Sequence, residues 1–166
     1  MKNIIKTTVV MFCLCAVLSS CKDKDQGSED LVPETRISYN GTSLGITHGN
    51  MRDDGGGKFL LHLLTQDLDY TRSLGYQGSG SRISMIITTS TVRELDEGTY
   101  NQPGNIGFTG IGLNWNDQTK KFAEVDPVQT MSFVVKHTSY GYAITIDATT
   151  NNGSFTGEFH GEIPII

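Results

Sequence analysis

The chain has 166 residues, 37% of them hydrophobic and 19% charged, which is the composition of a single globular domain. Its formal net charge is −5. Without the N-terminal segment that carries Lys2 and Lys6 and no acid, 11 basic residues face 18 acidic ones and the charge becomes −7. This acidic balance argues against nucleic acid as a partner and against electrostatic binding to anionic membranes, since both need a basic surface.

The first twenty residues have the plan of a secretory signal peptide. Two lysines precede an unbroken apolar run from Val9 to Leu18, and two serines follow it. Ten apolar residues are too few to span a bilayer as a helix, but they suit the central region of a cleaved leader. Cys13 and Cys15 lie inside this segment and would be removed with it.

The four residues Leu18-Ser19-Ser20-Cys21 resemble the lipobox of bacterial lipoproteins: an aliphatic residue, two small residues and a cysteine. The resemblance implies that the Cys21 thiol receives diacylglycerol, that the signal peptide is cut just before it, and that the new amine is acylated. Two or three acyl chains anchor a protein stably where one would not. No cysteine follows Cys21, so the exported domain has no internal disulfide and depends on burial for its stability.

A polar tether, predicted over residues 21–34, follows the lipidation site. Residues 22–30 are charged, contain no aromatic side chain and should be disordered. An acid-rich stretch behind the cysteine is similar to the surface-export signal of Bacteroidetes lipoproteins. The whole chain resembles, loosely, the small uncharacterised outer-membrane and surface lipoproteins of that group. This resemblance implies an outer-membrane location, with exposure at the cell surface as a further expectation.

Residues 35–166 are predicted to form one all-β domain. Arg36 to Tyr39 and Thr42 to Thr47 flank Asn40-Gly41, which indicates a hairpin. Lys58 to Thr65 is apolar on both faces, as in a central strand. Arg82 to Thr89 directs Ile83, Met85 and Ile87 inward, a strand starts at Gly98, and Phe108 to Trp115 directs Ile111, Leu113 and Trp115 inward.

The last 36 residues are predicted to form a three-stranded antiparallel meander. Apolar side chains alternate with polar ones in three successive runs, with turns at Tyr140-Gly141 and Asn152-Gly153. The inward side chains are predicted to be Met131, Phe133, Val135, Tyr142, Ile144, Ile146, Phe155, Phe159 and Ile163. About eight strands in all indicate an antiparallel sandwich or barrel, rich in meanders. The one helical signal, a capping box at Thr91 to Glu94, allows at most two turns.

The sequence contains no nucleophile elbow, phosphate loop or zinc signature. Glu158, His160 and Glu162 alternate on one strand about 7 Å apart and cannot easily converge on a metal ion. Asp53-Asp54 and the turn at Asn114, Asn116 and Asp117 are rich in oxygen ligands but lack the spacing of a calcium loop. We therefore predict no catalytic residue, no metal and no cofactor, and we interpret His62, which interrupts an apolar strand, as a satisfied core or edge histidine.

The segment from Asp67 to Ser81 is predicted to be a flexible, exposed loop. It holds Tyr70, Arg72 and Tyr76 among three glycines. Aromatic and guanidinium groups on such a loop suit the recognition of a sugar or a peptide by stacking and forked hydrogen bonds. These three residues are the candidate ligand-binding residues, with a solvated hairpin loop as the simpler interpretation.

The leading hypothesis is a lipid-anchored β domain of the cell envelope with a non-enzymatic binding or structural role. Its ligand would be a glycan, a peptide or a partner protein. The first alternative is a lipocalin-like carrier of a small apolar ligand, which requires a continuous internal cavity lined by Ile, Leu and Phe. The second alternative is a glycan-acting enzyme, which requires a cleft with two opposed acids roughly 5 to 10 Å apart.

Overall fold

A computed structural model describes residues 31–91 and 93–166; the predicted leader, Cys21 and most of the tether lie outside these ranges. Eleven β-strands account for the regular structure of the described residues. They are β1 (Arg36–Tyr39), β2 (Thr42–Ser43), β3 (Ile46–Gly55), β4 (Lys58–Thr65), β5 (Leu68–Thr71), β6 (Gly75–Thr88), β7 (Gly98–Gln102), β8 (Ile106–Asn116), β9 (Lys121–Thr138), β10 (Gly141–Thr150) and β11 (Ser154–Gly161).

The strands form one antiparallel sheet that curls into a half-barrel, which confirms the predicted all-β class. The order across the sheet is β2-β1-β11-β10-β9-β8-β6-β4-β3, with β5 paired to β6 and β7 paired to β9. The residues after β11 reach the far edge of the sheet. There the Met51 amide donates to the Pro164 carbonyl, and the Ile166 amide donates to the Met51 carbonyl, both at 2.9 Å.

The predicted meander is confirmed as β9, β10 and β11. Its inward side chains are buried as expected, except that Tyr142 at the start of β10 is only partly buried. The turn at Asn152-Gly153 lies where it was predicted, but neither residue has a positive φ. The Asn40-Gly41 turn does have the two positive φ values, 50° and 76°, that a tight hairpin requires.

The concave side of the half-barrel holds the main hydrophobic core. Phe59, Phe133, Phe155 and Phe159 are fully buried there and belong to one continuous cluster of apolar side chains. Burying a side chain of this size stabilises the fold by roughly 1.5–3 kcal/mol. The chain therefore satisfies the expectation that burial, without a cross-link among the described residues, holds the domain together.

The structure corrects two sequence predictions about elements, and the one helical signal produces no helix among the described residues. Thr42 to Thr47 is not one strand, because the chain breaks at Gly45, with φ 62°, between β2 and β3. The described residues of the 89–97 segment contain bends and no helix, and the Thr91 hydroxyl donates to the Glu94 carbonyl. Residues 67–81 are not a flexible loop: they form a paired hairpin between β5 and the first residues of β6.

Candidate functional site

The hairpin of β5 and β6, residues 68–80, folds over the convex side of the sheet. Side chains alternate along β4, so Leu61 and Leu63 enter the main core while His62 and Leu64 face outward. Leu64, Leu68 and Tyr70 form a second buried cluster beneath the hairpin. We call this region of β4, β6 and β8 the covered face. It explains why β4 is apolar on both sides, as the sequence predicted.

Four polar side chains form a hydrogen-bonded network under the hairpin. The Nδ1 atom of His62 lies 2.6 Å from the Ser84 hydroxyl and 2.9 Å from the Tyr76 hydroxyl. The Arg82 guanidinium donates to both hydroxyl oxygens, at 2.7 Å for Tyr76. Because both hydroxyls accept from Arg82, one of them can donate to the single lone pair of Nδ1 and the other to its neighbouring hydroxyl, an arrangement that places the proton of neutral His62 on Nε2.

His62 is held in its neutral form by its surroundings. Burial, followed by the positive charges of Arg82 and Arg52, lowers the pKa of His62 to about 3, with Asp54 opposing the change. Burial also raises the pKa of Tyr76, although Arg82 and Ser84 oppose that rise. The network is therefore uncharged at neutral pH apart from the guanidinium, and that charge lies against aromatic rings.

Aromatic rings surround Arg82. Its guanidinium carbon is 4.8 Å from the centre of the Tyr76 ring and 4.7 Å from that of Phe122, and Trp115 packs on both rings. Trp115 was predicted to face the core, but it lies on the covered face. The reason is a bulge at Asn114, with φ 55°, where the pairing of β8 with β6 shifts register.

A second set of contacts fixes the other side of the hairpin. Arg52 on β3 donates to the Tyr70 hydroxyl at 2.9 Å and to both carboxylate oxygens of Asp54. The Asn50 amide donates to the Tyr70 carbonyl at 3.1 Å. The hydrogen bond from Arg52, opposed by burial, lowers the pKa of Asp54. Through these bonds to Tyr70, the hairpin is fastened to β3.

The predicted ligand-binding residues separate into two kinds. Tyr70 is buried and Tyr76 partly buried, and the hydroxyl of each already contacts protein groups. Only Arg72, at the hairpin turn beside the 69% exposed Leu74, presents its side chain to solvent. The structure thus brings Tyr70 and Tyr76 together, with ring centres 4.8 Å apart, and leaves Arg72 apart from them. A ligand-binding role for the three residues stays a prediction.

A serine and a histidine in contact raise the question of nucleophilic catalysis. Ser84 is 2% exposed, and Arg82 and Tyr76 cover its hydroxyl. A histidine with a pKa near 3 is a weak general base. No carboxylate orients it either: within the described ranges its Nε2 has no hydrogen-bond partner, although Asn50 lies directly across on β3. In this arrangement the network is suited to positioning the hairpin.

The other oxygen-rich positions have ordinary structural partners. Asp53 accepts from the Gly55 amide, Asn116 accepts from two amides of its own turn, and Asp117 pairs with Lys120. His160 Nε2 is 3.4 Å from Glu158. No group of three or more His, Cys, Asp or Glu side chains in the described part of the chain could hold a metal ion.

One buried carboxylate lies at the end of the main core. Asp126 accepts from the Tyr39 hydroxyl at 2.7 Å and from the Asn152 amide at 3.3 Å. Burial alone would raise its pKa, but the Thr150 and Tyr39 hydroxyls and the neighbouring backbone amides outweigh burial and lower it. Asp126 therefore ties β1 and the β10–β11 turn to β9, and sequence patterning did not single it out.

The convex side of β1, β11, β10, β9 and β7 carries no covering element among the described residues, and we call it the open face. Pairing aligns one row of polar side chains across all five strands: Ser38, Thr156, Asp147, Ser132 and Asn101. The side chains of Asp147, Ser132 and Asn101 make no hydrogen bond to another described residue. A groove of about 360 Å³ lies over the part of this row that belongs to β7, β9 and β10.

The geometry defines an all-β half-barrel with one convex face covered and the other open. No family model, no curated protein and no solved structure matches this chain. Residues 31–91 and 93–166 contain no helix that is long and apolar enough to cross a membrane.

Proposed function

We propose that the protein is a lipid-anchored domain of the cell envelope with a non-enzymatic binding role. Its N-terminal segment would direct export, acyl chains on Cys21 would hold it in the outer membrane, and the β domain would contact a ligand on the cell surface. The ligand would be a glycan, a peptide or a partner protein. The observation that carries the binding role is the open face, where the side chains of Asn101, Ser132 and Asp147 lie in one row and make no hydrogen bond to another described residue.

The contrast with the covered face supports a non-enzymatic role. The Ser84–His62 pair is the arrangement closest to a catalytic one, and its hydroxyl is enclosed by Arg82 and Tyr76. The interior gives no support to the alternative of an apolar carrier. Phe59, Phe133 and Phe155 fill it with side chains that belong to one packed cluster.

The anchor is tested by expressing the full chain and a Cys21→Ala variant in a diderm bacterium. We expect intact mass spectrometry to show a wild-type protein that begins at Cys21 and carries two or three acyl chains, and fractionation to place it in the outer membrane. The variant should lack the acyl mass and leave the membrane fraction. An unacylated wild-type protein would refute the anchor.

The binding role is tested separately, with the lipidated full chain displayed on liposomes. Purified envelope polysaccharide, peptidoglycan fragments and envelope proteins are passed over it, and retention is compared with that by a Ser132→Arg, Asp147→Arg variant of the open face. We expect one class to be retained by the wild type and lost in the variant. Equal retention of every class by both proteins would reject the open face as the binding surface.

A further inference from the structure

Six of the eight residues that line the groove on the open face are polar, and the other two are Met131 and Ala148. The polar residues are Asn101, Gln102, Thr130, Ser132, Asp147 and Thr149. Asp147 is the only charged side chain among the lining residues, and no aromatic ring is among them. The volume, about 360 Å³, lies in the lower part of the range of roughly 300–1,000 Å³ for small-molecule sites.

We propose that this groove binds a neutral, polyhydroxylated ligand, namely a segment of uncharged glycan. The inference rests on the proposed binding function and names its ligand class and its site. The structural evidence for this ligand is the alignment of Asn101, Ser132 and Asp147 on three neighbouring strands, which lie about 5 Å apart.

The hydrogen-bonding capacity of the groove matches sugar hydroxyls. A sugar hydroxyl both donates and accepts, and the amides and hydroxyls of the lining do the same. The Asp147 carboxylate accepts two hydrogen bonds at once, and bonds to a charged acceptor are stronger than those between neutral groups. The strand spacing presents these groups at intervals over about 10 Å, from Asn101 across Ser132 to Asp147.

Two lining hydroxyls are already oriented by the fold. Thr130 and Thr149 lie side by side on β9 and β10, and their hydroxyls contact each other at 2.7 Å. Groups that are already oriented lose little entropy on binding. Gln102 alternates with Asn101 and therefore points to the other side of the sheet, where its Nε2 donates to the Val128 carbonyl at 3.2 Å. Its Oε1 atom is inaccessible to solvent, so Gln102 offers no group to a ligand in the groove.

The same lining disfavours other ligand classes. An anionic ligand would meet the Asp147 carboxylate with no Lys or Arg in the lining to offset it. An apolar ligand would leave the hydroxyls and amides unpaired on desolvation. A peptide that added to the sheet as a strand would bond to backbone groups at a strand edge, whereas Asn101, Ser132 and Asp147 project from the face of the sheet.

The test uses the full chain in amine-oxide micelles, since glycoside detergents would themselves occupy a sugar site. Neutral hexasaccharides of glucose, mannose, xylose and galactose are titrated in turn by calorimetry, with a sulfated hexasaccharide and an acidic decapeptide as comparisons. We expect saturable binding of at least one neutral probe, weakened at least tenfold by Asp147→Ala. Glu158→Ala, which removes an exposed carboxylate from the same face outside the groove, should leave the affinity unchanged.

Circular dichroism melts of both variants confirm that they are folded. If no neutral probe binds, or if the affinity is unaffected by Asp147→Ala, the glycan assignment is wrong. If the peptide alone binds and Asp147→Ala abolishes that binding, the glycan assignment fails while the proposed binding function stands. If the Ser132→Arg, Asp147→Arg variant loses retention in the liposome experiment while no neutral hexasaccharide binds the wild type, the ligand of the open face belongs to another class.

Discussion

The two convex faces of the half-barrel use polar side chains differently. On the covered face, His62, Ser84 and Arg82 bond to one another and to the hairpin that hides them. On the open face, Ser132 and Asp147 occupy equivalent outward positions of β9 and β10 and bond to nothing described. The comparison indicates that the first set contributes to stability and the second is available for a ligand. Each prediction below changes one side of this difference.

The largest effect should come from pH. Below its ordinary pKa of 6.5, His62 takes up a proton in the unfolded chain but not in the folded one, whose pKa is about 3. The free energy of unfolding should therefore fall as the pH falls from about 6.5, by roughly 4–5 kcal/mol once pH 3 is reached. Roughly 2 kcal/mol of this should be lost already at pH 5.

Urea unfolding at pH 7.5 and pH 5 measures this loss. A His62→Gln variant keeps a neutral polar side chain and should show almost no change between the two values. Above pH 5 the carboxylates with lowered pKa, such as Asp54 and Asp126, remain ionised in the folded and the unfolded chain. They therefore do not contribute to the difference in the free energy of unfolding between the two pH values. Equal losses in wild type and variant would show that His62 is not the group responsible.

The next effect should come from the fit of the hairpin. Gly78 has φ 91°, and a Cβ atom there would lie 2.1 Å from the Asp67 carbonyl oxygen, which is backbone and cannot rotate away. Gly75 has φ 71° but nothing near its missing Cβ. We expect Gly78→Ala to cost about 3 kcal/mol, from the positive φ and the clash together, and Gly75→Ala about 1 kcal/mol, from φ alone.

The readouts are urea unfolding and amide hydrogen exchange of residues 68–80. In Gly78→Ala the hairpin amides should exchange faster while those of the β9–β11 meander keep their protection. If the two variants lose the same stability, the hairpin does not pack as closely on Asp67 as the structure shows.

Sequence patterning predicted the interior better than the covered face, and the reason is physical. Alternation is a local signal, so the burial of Phe133, Ile144 and Phe159 followed from their own strands. The two-sided apolar character of β4 predicted a strand inside the sheet, and β4 lies between β6 and β3. The covering element itself was missed, because the glycines of 75–80, which let the hairpin turn and approach closely, are equally typical of a loop.

The candidate sites needed information that one strand does not contain. Arg82 and Ser84 look like solvated outward residues until the hairpin is placed over them. Trp115 was assigned to the wrong face because the bulge at Asn114 leaves only a single asparagine as its sequence signal. The row from Asn101 to Asp147 depends on the register of three strands, and Ser132 and Asp147 are 31 and 46 residues from Asn101 along the chain.

A smaller effect should follow from removing one hydroxyl of the network. Tyr76→Phe keeps the ring against Arg82 and Phe122 but leaves His62 and Arg82 each without one partner. Ser84 still contacts both groups, so the cost is that of one neutral and one charge-assisted hydrogen bond, about 1–3 kcal/mol in total. Tyr140→Phe is the matched control, because its hydroxyl makes a single 3.4 Å contact with His160, and we expect less than about 0.5 kcal/mol. Thermal or urea unfolding of the two variants gives the comparison, and a smaller loss for Tyr76→Phe than for Tyr140→Phe would contradict it.

The smallest effect should be found on the open face. Asp147 and Ser132 are not needed by any described hydrogen bond, so Asp147→Ala and Ser132→Ala should each change the free energy of unfolding by no more than about 0.5 kcal/mol. Asp147→Ala should even be slightly favourable, since it removes one negative charge from an acidic chain. Urea unfolding at pH 7.5 measures both. A loss above 1 kcal/mol would mean that these side chains serve the fold after all, and the distinction between the two faces would then disappear.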